Sequence, residues 1–408
     1  MDCTYGQLTY CSNIHPGESW EEHFAQLKQH IPLIKENINP VHTFGIGLRL
    51  SNSASLELTK QKNLLLFIEW LKENDCYVFT MNGFPYGSFH HTIVKDKVHA
   101  PDWTTQDRVD YTIRLAEILS QLLPEGLEEG ISTSPLSYRH WHLPEQMDEV
   151  FRKTTFHLLE VIIQLIEIKT NTGKTIHIDI EPEPDGLLES GIEFINWYKN
   201  YLLPLGIFLL NEHFGYTNDE SVKALKDHVQ LCYDICHFAV GYEDHKQIIR
   251  LLQQKEIKIG NIQISAALKA AMSPEAGERK LVIDAFKHFN ETTYLHQVIA
   301  LQKNGQLTKY PDLPEALLQA DDPLTIEWRS HFHVPLFIEN YGVLQSTQQD
   351  IITVLGLHKQ QPLTNHLEIE TYTWDVLPDA LKLPITDSII REMEWTIRLL
   401  ALKRKYTV

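Results

Sequence analysis

The chain has 408 residues, with 36 Lys and Arg against 54 Asp and Glu, and a formal net charge of −18. That acidic balance argues against a general nucleic-acid binder, because phosphate backbones are gripped mainly by Lys and Arg. With 43% hydrophobic and 22% charged residues, long disorder is not expected.

The opening MDCTYGQLTYC has no basic segment followed by an apolar one, so it does not read as a secretion signal. No run approaches the roughly 18 apolar residues of a membrane span. The five cysteines (Cys3, Cys11, Cys76, Cys232 and Cys236) are odd in number in a long chain, which argues against a disulfide framework and for a reduced, cytoplasmic setting. Cys232 and Cys236 lack the second pair that a structural zinc site needs.

In chain order, short β-type runs alternate with longer helical patterns. Strands are expected at LTYCSN (8–13), FGIGLRL (44–50), YVFTMNG (77–83), GISTSPL (130–136), TIHIDIE (175–181), VQLCYD (229–234), NIQISAA (261–267) and HLEIET (366–371). Ser19 and Glu22 form the spacing of a capping box, opening a helix near Trp20 and Phe24. Apolar residues at three- and four-residue spacing predict further helices over 64–74, 108–123, 151–168, 192–203 and 388–405.

Eight strands alternating with helices predict an α/β (β/α)8 barrel in a single domain, 1–408. A doubly wound open sheet is the competitor. Neither G-x-G-x-x-G after the first strand nor a phosphate-binding lysine loop is present to support it. The long segments at about 84–103 and 268–345 read as elaborations at the mouth, where barrel enzymes vary their loops.

Period-two alternation sorts each strand into faces. In TIHIDIE, Ile176, Ile178 and Ile180 oppose His177, Asp179 and Glu181. Glu368 and Glu370 oppose Leu367 and Ile369, and Gln263 opposes Ile262 and Ile264. The aliphatic face must meet the helices, so the polar face points inward. Glu181, Asp234 and Glu370 fall at the carboxyl ends of their strands, where a barrel places its chemistry. Three converging buried acids need a cation, and oxygen ligands with some nitrogen suit Mn2+, Mg2+, Co2+ or Zn2+. Any one of them has a plainer alternative, an ion pair with Arg49 or a histidine. His177 and Asp179 lie deeper and read as an internal polar pair.

Pro182 and Pro184 stiffen EPEPDG after the fifth strand and aim Glu181, our preferred ligand, with Glu183 the alternative. His237 stands at D-x-x-H spacing from Asp234, suited to a metal, a substrate hydroxyl or a turn cap. WRSHFHVPLF (328–337) sets His331 and His333 on one side of an extended segment beside Arg329, whose planar fork suits an anionic substrate group. MNGFPYGSFHH (81–91) brings Asn82, His90 and aromatic rings to the mouth, to face a sugar-like ring or to form a lid's own small core.

The order Glu, Asp-x-x-His, polar ligand, Glu over strands 5 to 8 resembles the xylose isomerase-like TIM-barrel superfamily of sugar phosphate isomerases and epimerases. That resemblance implies one divalent metal at Glu181, Asp234, Gln263 and Glu370, with Gln263 standing where the superfamily usually has histidine. More closely, LTYCSNIHPGESW, MNGFPYGSFH, IEPEPDG, CYDICHFAVGYED, SHFHVPLF and HLEIETYTWDVLP resemble the EboE metabolite-traffic family. The resemblance covers nearly the whole chain. It implies a role in export or processing of small metabolites and a functional link to a membrane prenyltransferase-like protein.

Three functions are therefore expected in competition. The first is metal-dependent isomerisation or epimerisation of a sugar, polyol or cyclitol by enediolate proton transfer. In it Glu181 and Glu370 exchange the proton, His237 orients a hydroxyl, Arg49 or Arg329 holds any anionic group, and Asn82, His331 and His333 contact substrate. The second is metal-assisted hydrolysis, which needs more than one metal. The third is a non-catalytic carrier or scaffold that serves a membrane partner.

Overall fold

The computed structural model describes residues 2–3, 5–124 and 126–401. Each β-type run forms a strand: β1 (Gly6–Tyr10), β2 (Phe44–Arg49), β3 (Cys76–Asn82), β4 (Glu128–Thr133), β5 (Thr175–Ile180), β6 (Val229–Asp234), β7 (Ile259–Ile264) and β8 (His366–Ile369). Consecutive strands from β2 to β8 pair in parallel, and β8 pairs in parallel with β1. Only β1 and β2 lack a full ladder. A single parallel bridge, Cys11 to Gly47, joins them. The Thr9 hydroxyl adds to it by donating to the Gly45 carbonyl at 2.8 Å and accepting from the Gly47 N–H at 3.2 Å. The fold is a nearly closed (β/α)8 barrel.

The aliphatic residues of the strands, among them Ile176, Ile178, Ile180, Leu231, Ile262 and Leu367, are fully buried against the helices. The interior is polar. Asp179 reaches across it: a Cβ added to Gly260 on β7 would stand 1.9 Å from Asp179 Oδ1, and one added to Gly130 on β4 would stand 2.2 Å from its Oδ2. His177 Nδ1 pairs with Asp179 Oδ1 at 2.6 Å, so these two are the internal pair that their depth suggested.

Ser19 caps the helix Trp20–Ile38 with both bonds of the capping box present. The expected helices appear as Gln61–Glu73, Gln106–Leu122 and Met147–Thr172, then Gly191–Trp197 continuing through a wider turn to Phe214, and Ile385–Ala401. Residues 402–405 of the last one lie outside the described residues. No helix among the described residues is long and apolar enough to cross a membrane.

Between β7 and β8 the chain builds a second, antiparallel sheet. Its strand order is Leu307–Tyr310, Val298–Gln302, Thr325–Ser330, Leu268–Ala271, Leu344–Ser346 and Asn340–Tyr341. It carries His331 and His333 to the mouth just beyond its strand Thr325–Ser330.

The last helix is tied to that mouth by Glu392, whose Oε1 accepts from the Leu336 N–H at 3.1 Å and the Thr371 hydroxyl at 2.8 Å. Burial raises the Glu392 carboxyl from 4.5 to about 8. A folded-state value above the unfolded one means that the native state holds the proton longer. The contribution is therefore intact below about pH 4.5 and falls away as pH rises towards 8, by roughly 1.4 kcal/mol per pH unit. Glu392→Gln keeps the acceptor and removes the charge. Denaturant titrations should show equal stability at pH 5 and a more stable variant at pH 8; parallel pH profiles for the two proteins would refute this.

Candidate metal centre

Glu181 follows β5, Asp234 ends β6 and Glu370 follows β8, all at the carboxyl-terminal mouth. The three are nearly inaccessible to solvent, and one carboxylate oxygen from each lies within 4.8 Å of the others. Among the described residues no Lys or Arg nitrogen pairs with any of them; the imidazole of His237 lies 3.6 Å from Glu181 and 3.9 Å from Asp234, and burial holds its proton affinity well below the usual range, so it brings no charge to offset the acids. Burial, then the charges of Glu370 and Asp234, push the Glu181 carboxyl well above the usual range. Burial, then Asp234, do the same to Glu370.

Local structure aims each acid. Asp234 caps the short helix Ile235–Val240: its Oδ1 accepts from the His237 N–H at 3.0 Å and from the Ser265 hydroxyl at 2.7 Å. Its Oδ2 is left buried and without a partner, as is Glu181 Oε2. Glu370 Oε1 accepts from the Asn13 amide at 2.7 Å and the Asn82 amide at 3.1 Å. The Asn82 amide is itself oriented, because its Oδ1 accepts from the Phe84 N–H at 3.1 Å.

Buried acids with orphaned oxygens and no basic partner fit a divalent cation. Gln263 adds to the fit. It stands in register with Asp234 and Glu368 on the flanking strands, and neither atom of its buried amide has a partner. Asp234, Glu181, Glu370 and the Gln263 carbonyl are the residues that would hold the ion.

Glu183 has its Oε1 2.9 Å from His99 Nε2, and it lines the same pocket, with an oxygen within 4.8 Å of ligand nitrogens of His237 and His331. Asn82, Glu181, His237, His331 and Glu370 line one pocket, together with Asn13, His99 and an apolar wall of Phe84, Phe89, Val94, Tyr294 and Tyr372. Phe89, Val94 and Tyr294 also pack on one another, so the aromatic loop is both a small core and a pocket wall. His333 stands close by, its ring centroid 5.7 Å from that of His237 and 5.4 Å from that of His331. Cys236, a free buried thiol, brings a ligand atom within 4.8 Å of His331 and His333, whereas Cys232 joins no such group among the described residues.

The two arginines require a correction. Arg49 is fully buried under the loop after β3, donating to the Gly87 carbonyl at 2.5 Å and paired with Glu18 at 3.4 Å. Arg329 donates to Glu327 at 2.8 Å and the Ala239 carbonyl at 2.7 Å, and lies over the Tyr242 ring. Neither lines the pocket, and both forks are committed to the protein itself, so neither is placed to hold a substrate anion.

Sequence reasoning missed Asn13, Ser265 and His99. A polar residue just past β1 and another just past β7 were signals for the first two, by the same strand-end rule that singled out the acids. His99 carries no such signal.

No protein-family model and no curated protein sequence matches the chain. Among solved structures, a candidate sugar phosphate isomerase/epimerase from Anabaena variabilis is similar over 97% of this chain and 98% of its own, with 10% identity and a TM-score of 0.50. The IolI protein with a bound zinc atom (12% identity, 98% and 100% covered, TM-score 0.49) and an L-ribulose 3-epimerase (9%, 97% and 94%, 0.48) are also similar. At these identities the likeness shows the fold alone, a (β/α)8 barrel.

Proposed function

We propose that the chain is a metal-dependent isomerase or epimerase of a small, uncharged sugar, polyol or cyclitol. The observation that carries this reading is the gathering of Glu181, Asp234 and Glu370 within 4.8 Å at the barrel mouth with no Lys or Arg among the described residues to neutralise them. A divalent ion there, Mn2+, Mg2+, Co2+ or Zn2+, supplies Lewis-acid polarisation of a substrate carbonyl. Glu181 and Glu370 take up and return the proton of the adjacent carbon. Asn13 and Asn82 hold Glu370 in place, and the aromatic wall excludes water. Lys95, the one Lys or Arg among the described residues on the pocket wall, is paired with Asp312 at 2.5 Å, which supports a substrate without phosphate.

The chain acts in this reading as one domain, with 84–103 and 268–345 forming the mouth. Its resemblance to the EboE family supports a place in metabolite export or processing alongside a membrane prenyltransferase-like protein, and the odd cysteine count in a long chain supports a cytoplasmic setting.

The test is solvent exchange. The metal-loaded protein, incubated in D2O with panels of ketoses, aldoses and oxidised cyclitols, is expected to place deuterium on the carbon next to a carbonyl, read by mass spectrometry. Glu181→Gln should slow that exchange by about 10²–10⁴-fold. Bound metal without exchange on any member would turn the reading to a carrier. The histidines beside the acids favour a second reading, metal-assisted hydrolysis, for which release of a leaving group without deuterium incorporation is the mark.

A further inference from the structure

The end of the barrel opposite the metal centre holds another cavity. It lies among the first residues of β4, β6, β7 and β8 and has a volume of about 330 Å3. A neighbouring groove shares Glu128 and Asn365 with it. One side of the cavity is aliphatic, with Leu252, Ile257, Ile259 and Leu363. The other carries two imidazoles, His177 and His366, which are only 2% and 3% exposed. Their rings stack, with centroids 5.5 Å apart and planes within 18° of parallel.

Each ring spends one nitrogen on the protein and leaves the other unused. His366 Nε2 lies 2.8 Å from the Glu128 carbonyl, which only accepts, so that nitrogen carries the hydrogen. Burial pushes the His366 imidazole down to about 3, so the ring is neutral, and its Nδ1 is a bare lone pair buried without a partner. His177 Nδ1 is taken by Asp179 Oδ1 at 2.6 Å, and among the described residues no hydrogen bond reaches its Nε2. That Nε2 donates when the hydrogen of the short contact sits on Asp179, and accepts when it sits on Nδ1. Beside the rings is the buried amide of Gln230. Its Nε2 donates to the Asp227 carbonyl at 3.2 Å and to Glu128 at 3.3 Å, which leaves its Oε1 to accept.

A hydroxyl group answers all of these atoms. It donates to the His366 lone pair or to Gln230 Oε1, and it takes either role with His177. An anion cannot serve the two acceptors. Lys258, the one Lys or Arg among the described residues on the cavity wall, is already held by Asp227 at 3.0 Å and lies 4.0 Å from Glu128, so no free positive charge is left for a phosphate or carboxylate. We infer that this cavity is a binding site for a neutral polyhydroxy molecule, a sugar, polyol or cyclitol, seated with its hydroxyls on His177, His366 and Gln230 and its C–H face on the aliphatic side. The site does not rest on the proton-transfer reading of Glu181 and Glu370, because it needs no metal.

The test uses the full chain in chelator, titrated with xylitol, glucose and inositol and followed by calorimetry and by nitrogen NMR of the histidine rings. Saturable binding of at least one of the three is expected. The ring nitrogens of His177 and His366 should move, while those of His237, His331 and His333 at the mouth stay in place. Gln230→Ala should weaken this binding about 5–10-fold, the loss of one neutral hydrogen bond, and His177→Phe should weaken it further. Glu181→Gln, which disables the mouth, should leave it unchanged. Shifts confined to the mouth histidines would overturn the site, as would binding that ignores both Gln230→Ala and His177→Phe, or no saturable binding of any of the three. Should His177→Phe fail to fold, Gln230→Ala and the wild-type ring shifts decide.

Discussion

Glu370→Gln is expected to cost the protein its carboxylate-site metal while making the metal-free protein more stable. Without a cation, Glu370 is a buried acid beside Asp234 and Glu181, and burial with Asp234 raises its proton affinity well above 4.5. By linkage the native state holds that proton longer than the unfolded chain. The stability associated with it is present below about pH 4.5 and is lost as pH rises. Gln removes the charge and keeps an oxygen for the Asn13 and Asn82 amides. At pH 8 in chelator the variant should therefore melt above wild type.

Added metal reverses the order. A ligand at a hundredfold excess over its Kd stabilises the native state by about 2.7 kcal/mol, which for a chain of this size raises Tm by a few degrees. Wild type should gain that shift at the carboxylate site and Glu370→Gln should not. Loss of partners that merely orient a ligand already weakens metal binding about 10–100-fold, so losing the ligand itself should weaken it by more. Paired melting curves with and without metal check this. A variant whose response to metal equals that of wild type would remove Glu370 from the site.

Gly260→Ala is expected to be among the most damaging single methyl additions in the molecule. Its Cβ would stand 1.9 Å from Asp179 Oδ1 and 2.4 Å from the carboxyl carbon, distances that real atoms do not share. Asp179 has no room to swing away, because Gly130 faces its other oxygen and His177 holds Oδ1 at 2.6 Å. Overpacking of a tight core ordinarily costs about 1–3 kcal/mol, and a clash against a pinned carboxylate belongs at or above the top of that range. Combining Gly260→Ala with Asp179→Ala should recover much of the loss, with a coupling of roughly 1–3 kcal/mol in a denaturant double-mutant cycle. Additive effects would show that the two residues do not meet inside the barrel.

Much of the architecture is legible in local sequence. TIHIDIE shows two faces because β5 is wetted by polar interior on one side and packed by helices on the other, and that difference is written residue by residue at period two. The same holds for the capping box at Ser19 and for the acids at strand ends. Other features have no local trace. The strands Leu268–Ala271 and Leu307–Tyr310 are short and mixed in polarity, and the first pairs only with strands more than fifty residues on, so the insertion reads as loop. Arg49 looks free in sequence, yet Gly87 and Glu18 claim its fork.

What 408 residues declare on their own is a pattern of faces and ends: which side of each strand is buried, where helices start, and which acids stand at the carboxyl-terminal rim. These follow from the immediate environment of each element. Folding in three dimensions settles the rest: that Glu181, Asp234 and Glu370 share one space, that Asn13 supports Glu370 from 357 residues away, and that His237 meets His331 across 94. Those meetings depend on barrel closure and the register of distant strands, which are properties of the whole chain and of no segment within it.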